Sequence, residues 1–372
     1  MTELLFGTAQ TAFVNGDRVK QARELMGITQ KQLAKKVGVT QAMIAHIEGG
    51  FKQPSDEVLT AIAFAASLPA RFFRQGPPAD LPVGSLLYRA RSGTSRRKLQ
   101  EAHRYAQIVL ELATGLAARV STIPLKLTPS AASPQEAATS TRRELGLSPA
   151  QPIPHLVRAI EKAGGIVLAL PQSEQVDAFA VWAGKLPILA IAEHRAGDRA
   201  RLTVAHEMGH LIMHRGSTTD AEIEREAYQF AAELLMPRST IERDFAKVGA
   251  TLVAIAQLKL RWGVSMQALI RRARDIDFIT DRQYHYLMQQ MGARGWRTKE
   301  PANLQIGPEK PRLLRRMAEL IYGDPIDYGK LAKDFNLRVE FVANVMAKYA
   351  TASEVGSSEK THAGKILKFQ RR

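Results

Sequence analysis

His206-Glu207-Met208-Gly209-His210 decides more about this chain than any other stretch. Two histidines four residues apart fall on one helix face, a single turn from each other, and the glutamate beside the first stays within reach of whatever they hold. Neutral imidazoles so placed bind zinc, and a carboxylate next to them can take a proton from water, so the pentad predicts metal-assisted hydrolysis. The flanks agree with a helix. Asp198 is placed to cap its start, and Leu202, Ala205, Gly209 and Ile212 recur at spacings of three and four as an opposite, buried face.

Zinc needs a third protein ligand, and a following helix expected from Glu222 to Met236 offers Glu222, Glu224, Glu226 and Glu233. Glu222, Glu226, Gln229 and Glu233 make one polar stripe, which reads as a solvated face. Glu224 borders the apolar stripe Ile223, Ala227, Phe230 and Leu234 and is the expected third ligand. A fourth position then stays open to water, with Glu207 as general base. Tyr228, one turn past Glu224, either orients a ligand or simply packs. His214, one turn past His210, is expected either behind the ligands or facing solvent and not as a direct ligand, because a rigid helix cannot aim three successive turns at one point.

The run Arg201-Leu-Thr-Val-Ala-His-Glu-Met-Gly-His-Leu-Ile-Met-His214, followed by Glu224-Arg-Glu-Ala-Tyr-Gln-Phe-Ala-Ala-Glu-Leu-Leu-Met-Pro237, resembles the ImmA/IrrE metallopeptidases. The similarity extends over about Pro152 to Pro237 and includes Asp177-Ala-Phe-Ala-Val-Trp182. It implies a gluzincin-like endopeptidase with one Zn2+ per chain on His206, His210 and Glu224, Glu207 as catalyst, and a regulatory protein such as a repressor or antitoxin as substrate. Tyr228 is a departure, since the family more often carries Asn or Asp there.

A second signal lies at the other end. Asp17 to Met26 is amphipathic and stops at Gly27, Thr29 with Gln32 forms a capping box for a helix through Lys36, Gly38 makes a tight turn, and Thr40 caps Gln41 to Glu48. Leu33, Ala34, Val37, Val39, Ile44 and Ile47 are expected inside, which leaves Gln41, Ala42, Ala45 and His46 outward, as short or amide-bearing side chains suited to base edges. The segment resembles the Xre/Cro/cI helix-turn-helix domains. That resemblance implies double-stranded DNA as partner, with Thr40, Gln41, Ala42 and His46 reading bases, Gln30 and Lys52 holding phosphates, and two chains pairing as a homodimer.

The 372 residues carry 52 Lys+Arg against 36 Asp+Glu, a net charge of +16, and that field attracts phosphate. Much of the excess lies outside the helix-turn-helix. Arg89, Arg91, Arg96, Arg97, Lys98 and Arg104 either extend a DNA footprint or form a solvated face, and Lys360, Lys365, Lys368, Arg371 and Arg372 sit in the tail. The absence of cysteine removes thiolate ligands and disulfides, and no stretch approaches the roughly 20 apolar residues that span a bilayer. A cytoplasmic protein with no membrane partner is expected.

The expected fold is multidomain and mainly α. An all-α, five-helix repressor-like domain fills 1–76, and a linker with a long helix from Thr94 to Val120 fills 77–130. An α+β zincin-like domain with a small sheet follows over 131–240, then a helical C-terminal domain over 241–350 and a basic tail, expected to be disordered, over 351–372. The apolar stripe of the long helix (Leu99, Ala102, Ala106, Val109, Leu110, Ala113, Leu116) is read as pairing two chains or packing on the peptidase domain. Strands are expected at Ile166 to Leu170, Ala178 to Ala183 and Leu186 to Ala192, with the last as a rail for extended substrate. Ile326 to Tyr349 reads as a helix pair around Phe335-Asn-Leu337, a packing hairpin in preference to a second helix-turn-helix. The functional expectation is a DNA-binding transcriptional regulator with a built-in peptidase. The competing class is a non-cutting regulator or antitoxin whose peptidase-like part senses a metal, ligand or partner.

Overall fold

The computed structural model describes residues 13–81, 95–120, 125–170, 178–192, 196–214 and 220–350. The tail over 351–372, Arg89 and Arg91 lie outside these residues. Among these residues the chain is mainly helical with one small three-stranded sheet.

The N-terminal part contains α1 (Gly16–Leu25), α2 (Gln30–Val37), α3 (Gln41–Glu48), α4 (Asp56–Ala66) and a 3-10 turn at Ala70–Arg74. Each helix starts at a side-chain cap: Asn15, Thr29, Thr40 and Ser55 accept from the backbone N–H of Asp17, Gln32, Met43 and Val58. Gly38, left-handed at φ 73°, makes the turn from α2 into α3. Val19, Leu33, Ile44, Ile47, Ile62, Phe72 and Phe73 close the core.

Helix α5 (Arg96–Ala117) packs along α1. Arg18 pairs with Glu111 at 2.8 Å and Arg104 Nε donates to Glu24 at 2.7 Å. Its apolar stripe is therefore covered inside the chain, by α1 and by elements described below, and dimerisation would need another surface. Arg104 likewise faces inward, whereas Arg96, Arg97 and Lys98 are exposed.

Next come α6 (Pro134–Glu144), α7 (Leu156–Lys162), β1 (Ile166–Leu170), β2 (Ala178–Ala183) and β3 (Leu186–Ala192). Strand order is β1-β3-β2, with β3 parallel to β1 and antiparallel to β2. This corrects the expected substrate rail. Both edges of Leu186–Ala192 are already paired, and the antiparallel strand β2 is an edge of the sheet. Alternation sends Ile166, Leu168, Phe179, Ile188 and Ala190 to one core, shared with the N-terminal part, and Val167, Ala178, Leu189 and Ile191 to the other.

That second core is closed by α8 (Gly197–Met213), α9 (Ala221–Leu235), α10 (Arg238–Val248), α11 (Leu252–Trp262), α12 (Met266–Asp275) and α13 (Asp281–Ala293). A 3-10 turn at Ala302–Leu304 leads to α14 (Leu313–Tyr322), α15 (Tyr328–Asp334) and α16 (Val339–Ala347), which return to the first core beside α5.

Helix α8 is held at its start. Its N-cap is Ala196, and Asp198 does not cap it but lies buried in the first turn, paired with the Lys259 ammonium. Lys259 also meets Glu300 Oε2 at 2.7 Å. Gly197 donates to the Ile306 carbonyl at 2.9 Å, and a Cβ there would lie 2.1 Å from the Gly307 oxygen, so only glycine admits this contact.

Candidate functional site

The α8–α9 interface assembles the site. A Cβ on Gly209 would come within 3.1 Å of the Ala227 backbone and the Phe230 ring, so glycine in the middle of the pentad lets the two helices approach closely. That approach brings Glu224 on α9 to the paired histidines on α8. His206 Nε2 lies 3.1 Å from His210 Nε2 and 3.2 Å from Glu224 Oε2, and His210 Nε2 lies 3.3 Å from Glu224 Oε1. A tetrahedral zinc ion with ligands at about 2.0–2.1 Å has ligand–ligand edges of about 3.3–3.4 Å, so these two imidazoles and one carboxylate fit such an ion. His206, His210 and Glu224 are the group among the described residues whose donor atoms could hold a metal, all within 4.8 Å of one another.

Glu207 is 3% exposed, beside His206 on the same helix. The remaining ring nitrogen of His210 faces His214 Nδ1 at 3.3 Å, and His214 Nε2 lies 2.9 Å from Glu226 Oε2. His214 thus stands behind His210, one of the two positions open to it from the sequence. Glu226 corrects the sequence expectation: it supports this histidine in place of facing solvent. Glu233 of the same stripe is also engaged, accepting from Arg272 Nη2 and from the Arg238 backbone. The pattern of α9 alone could not show these partners, because His214 and Arg272 come from other helices.

Tyr228 carries the Arg271 guanidinium over its ring at 3.4 Å from the centroid, and burial pushes its phenol up to about 12, so it stays protonated. Trp182 at the end of β2 donates its indole N–H to the Leu211 carbonyl at 2.7 Å, which fixes the edge strand beside the helix that carries the histidines.

At the DNA-type face, Thr40, Gln41, Ala42, His46 and Lys52 are exposed on one side of the molecule's N-terminal part. Thr40 Oγ1 accepts from Met43 N at 3.2 Å, and the His46 ring meets Phe51 edge-on with centroids 6.5 Å apart. Gln30 is half-buried and donates to Glu48 Oε2 at 2.9 Å, and Arg23 Nε donates to the other oxygen of Glu48 at 2.6 Å. These bonds tie α1, α2 and α3 together. Ala45 is half-buried, one step further in than the sequence places it.

Helices at these two places define a helix-turn-helix unit joined to a metallopeptidase-like unit. Comparison with known families agrees: residues 162–274 match the IrrE N-terminal-like domain, and residues 19–63 match the helix-turn-helix domain. The chain thus carries an Xre-type DNA-binding domain fused to an IrrE-like peptidase domain. The match runs on to 274 and so takes in α10, α11 and α12, whose Phe245, Ile255, Leu258 and Leu269 share a core with Met208 and Phe230. No curated protein matches the sequence. No helix among the described residues is long and apolar enough to cross a membrane.

Proposed function

We propose that this protein is a DNA-binding regulator whose peptidase domain cuts a regulatory protein, a repressor or an antitoxin, with one zinc ion per chain. The observation that carries this is the convergence of His206, His210 and Glu224 from two helices with Glu207 alongside. When bound, the ion supplies Lewis acidity to a peptide carbonyl and lowers the pKa of water at the site. The chain's own residues supply the rest. Glu207 takes the proton from the attacking water and delivers it to the leaving amine, and its burial keeps that transfer away from bulk solvent. His214 and Glu226 hold the His210 ring in the orientation that turns Nε2 towards Glu224. Edge strand β2, fixed by Trp182, offers backbone groups to an extended peptide. Thr40, Gln41, Ala42 and His46 enter a major groove, with Gln30 and Lys52 towards phosphate.

The test is purification of wild type and Glu207→Gln from cells that carry the native partner genes. Metal is counted by elemental analysis and protein fragments by mass spectrometry. One metal per chain in both with fragments in wild type alone is the expected outcome. Metal in both with fragments in neither would favour the non-cutting regulator, and metal in neither would overturn the site.

A further inference from the structure

The α15–α16 pair repeats the α2–α3 pair almost position by position. Leu33-Ala-Lys-Lys-Val-Gly-Val39 recurs at a constant offset as Leu331-Ala-Lys-Asp-Phe-Asn-Leu337. The backbone repeats with it. Thr29 caps α2 by accepting from Gln32 N, and Asp327 caps α15 by accepting from Lys330 N. Gly38 turns left-handed at φ 73°, and its counterpart Asn336 does so at φ 52°, in a region where asparagine is the usual substitute for glycine. The turn is closed the same way, Val39 N to Ala34 O at 3.0 Å and Leu337 N to Ala332 O at 2.9 Å. From Thr40 to Glu48 and from Arg338 to Met346, the order of exposed, half-buried and buried residues is identical at every position. Ile44 and Val342 are both 0% exposed, and Ile47 and Val345 are both 1% exposed.

This agreement favours a second helix-turn-helix over the expected packing hairpin, since packing alone does not require a left-handed turn residue, a matched cap at the start of the first helix and the same outward positions. We propose that α14, α15 and α16 form a second helix-turn-helix unit, and that α16 places Arg338, Glu340 and Asn344 against double-stranded DNA, so one chain engages two duplex segments. Those residues are exposed and stand where Thr40, Ala42 and His46 stand on α3. Their chemistry suits base edges: asparagine pairs with adenine, a carboxylate accepts from cytosine N4, and arginine takes guanine or phosphate. Charge around the helix favours phosphate. Lys333 and Arg338 are exposed, while Asp334 is held by Arg119 at 2.7 Å and Asp327 by Lys330 at 3.2 Å.

Both units pack on one support. The N-terminal unit meets α5 through Arg104, Gln107 and Glu111, and the C-terminal unit meets it through Tyr105 and Gly115 and, just past its end, Arg119. The inference rests on duplex DNA as the ligand of the N-terminal unit, so the experiment separates the two. Duplexes selected from a random library by the full chain are footprinted with wild type, Gln41→Ala/His46→Ala, and Arg338→Ala/Asn344→Ala, with thermal melting of each protein. Wild type should protect two segments. The C-terminal variant should lose one of them, with an overall affinity loss of about tenfold or more at unchanged melting temperature, and the N-terminal variant should lose the other. Arg338→Lys should restore part of the salt dependence that Arg338→Ala removes. A C-terminal variant that protects and binds like wild type would overturn the second unit and leave the first intact. Two segments that survive the N-terminal variant would instead sink the reading of α3, and no protection by any protein would sink both.

Discussion

The α8–α9 pair and the α2–α3 pair put their candidate functional side chains on opposite sides of a helix. In α8–α9 the chemistry lies between the helices, where His206, His210 and Glu224 meet and Gly209 sets the separation. In α2–α3 the inner side is ordinary apolar core, and the side chains suited to DNA stand outside it. A change in the first pair therefore disturbs site and packing together. A change on the outer face of the second should alter recognition and leave the fold untouched.

The largest effect expected under this contrast comes from Lys259, which is 1% exposed and anchors the start of α8 through Asp198 and Glu300. Lys259→Met leaves two buried carboxylates without their cation, and denaturant unfolding should show a loss of about 3–5 kcal/mol. Retained stability would mean that the start of α8 is held by the Gly197–Ile306 contact alone. Next, His214→Ala removes the support behind His210, and metal titration should show affinity reduced about 10–100-fold, with DNA binding unchanged. Gln41→Ala tests the other side of the comparison. DNA affinity should fall by about 1–3 kcal/mol, while unfolding stays within about 0.5 kcal/mol of wild type. A matching loss of stability would break the contrast.

The smallest effect sharpens it through pH. Glu161 is raised to about 6 by burial, against two backbone N–H groups, from Arg312 and Leu313, that favour its charged form. Its folded pKa lies above the ordinary glutamate value of 4.5, so its stabilising contribution is full below about pH 4.5 and is lost as pH rises through 6. Glu161→Gln should thus be more stable than wild type at pH 7.5 by at most about 2 kcal/mol, and denaturant curves should converge between pH 6 and 4.5.

The grouping of His206, His210 and Glu224 could be read from the chain because local pattern points to it: His206 and His210 share a face whatever surrounds them, and Glu224 borders an apolar stripe. The caps at Thr29 and Thr40 and the glycine turn were readable for the same local reason. Partners brought by tertiary contact were not. Glu226 and Glu233 lie on a stripe that looks solvated until His214 and Arg272 arrive. The sheet order was hidden because a strand's own pattern does not say which neighbours it takes, and β3 proved central. Helix α6 begins at Ser133-Pro134, a pair that reads in a sequence as a chain break. Proline in a first turn lacks an N–H that the helix does not use, and Ser133 with Glu136 forms a capping box.

Tyr349, at the end of the last helix pair, accepts a hydrogen bond from Ala169 N on β1 at 2.9 Å. An outward-pointing donor on the edge of a sheet is a template on which another chain can add a strand. The phenol occupies that donor. Shortening the chain ahead of Tyr349 would expose the edge of β1 and invite the truncated protein to aggregate edge to edge, so the last described turn also works as a stopper against self-association.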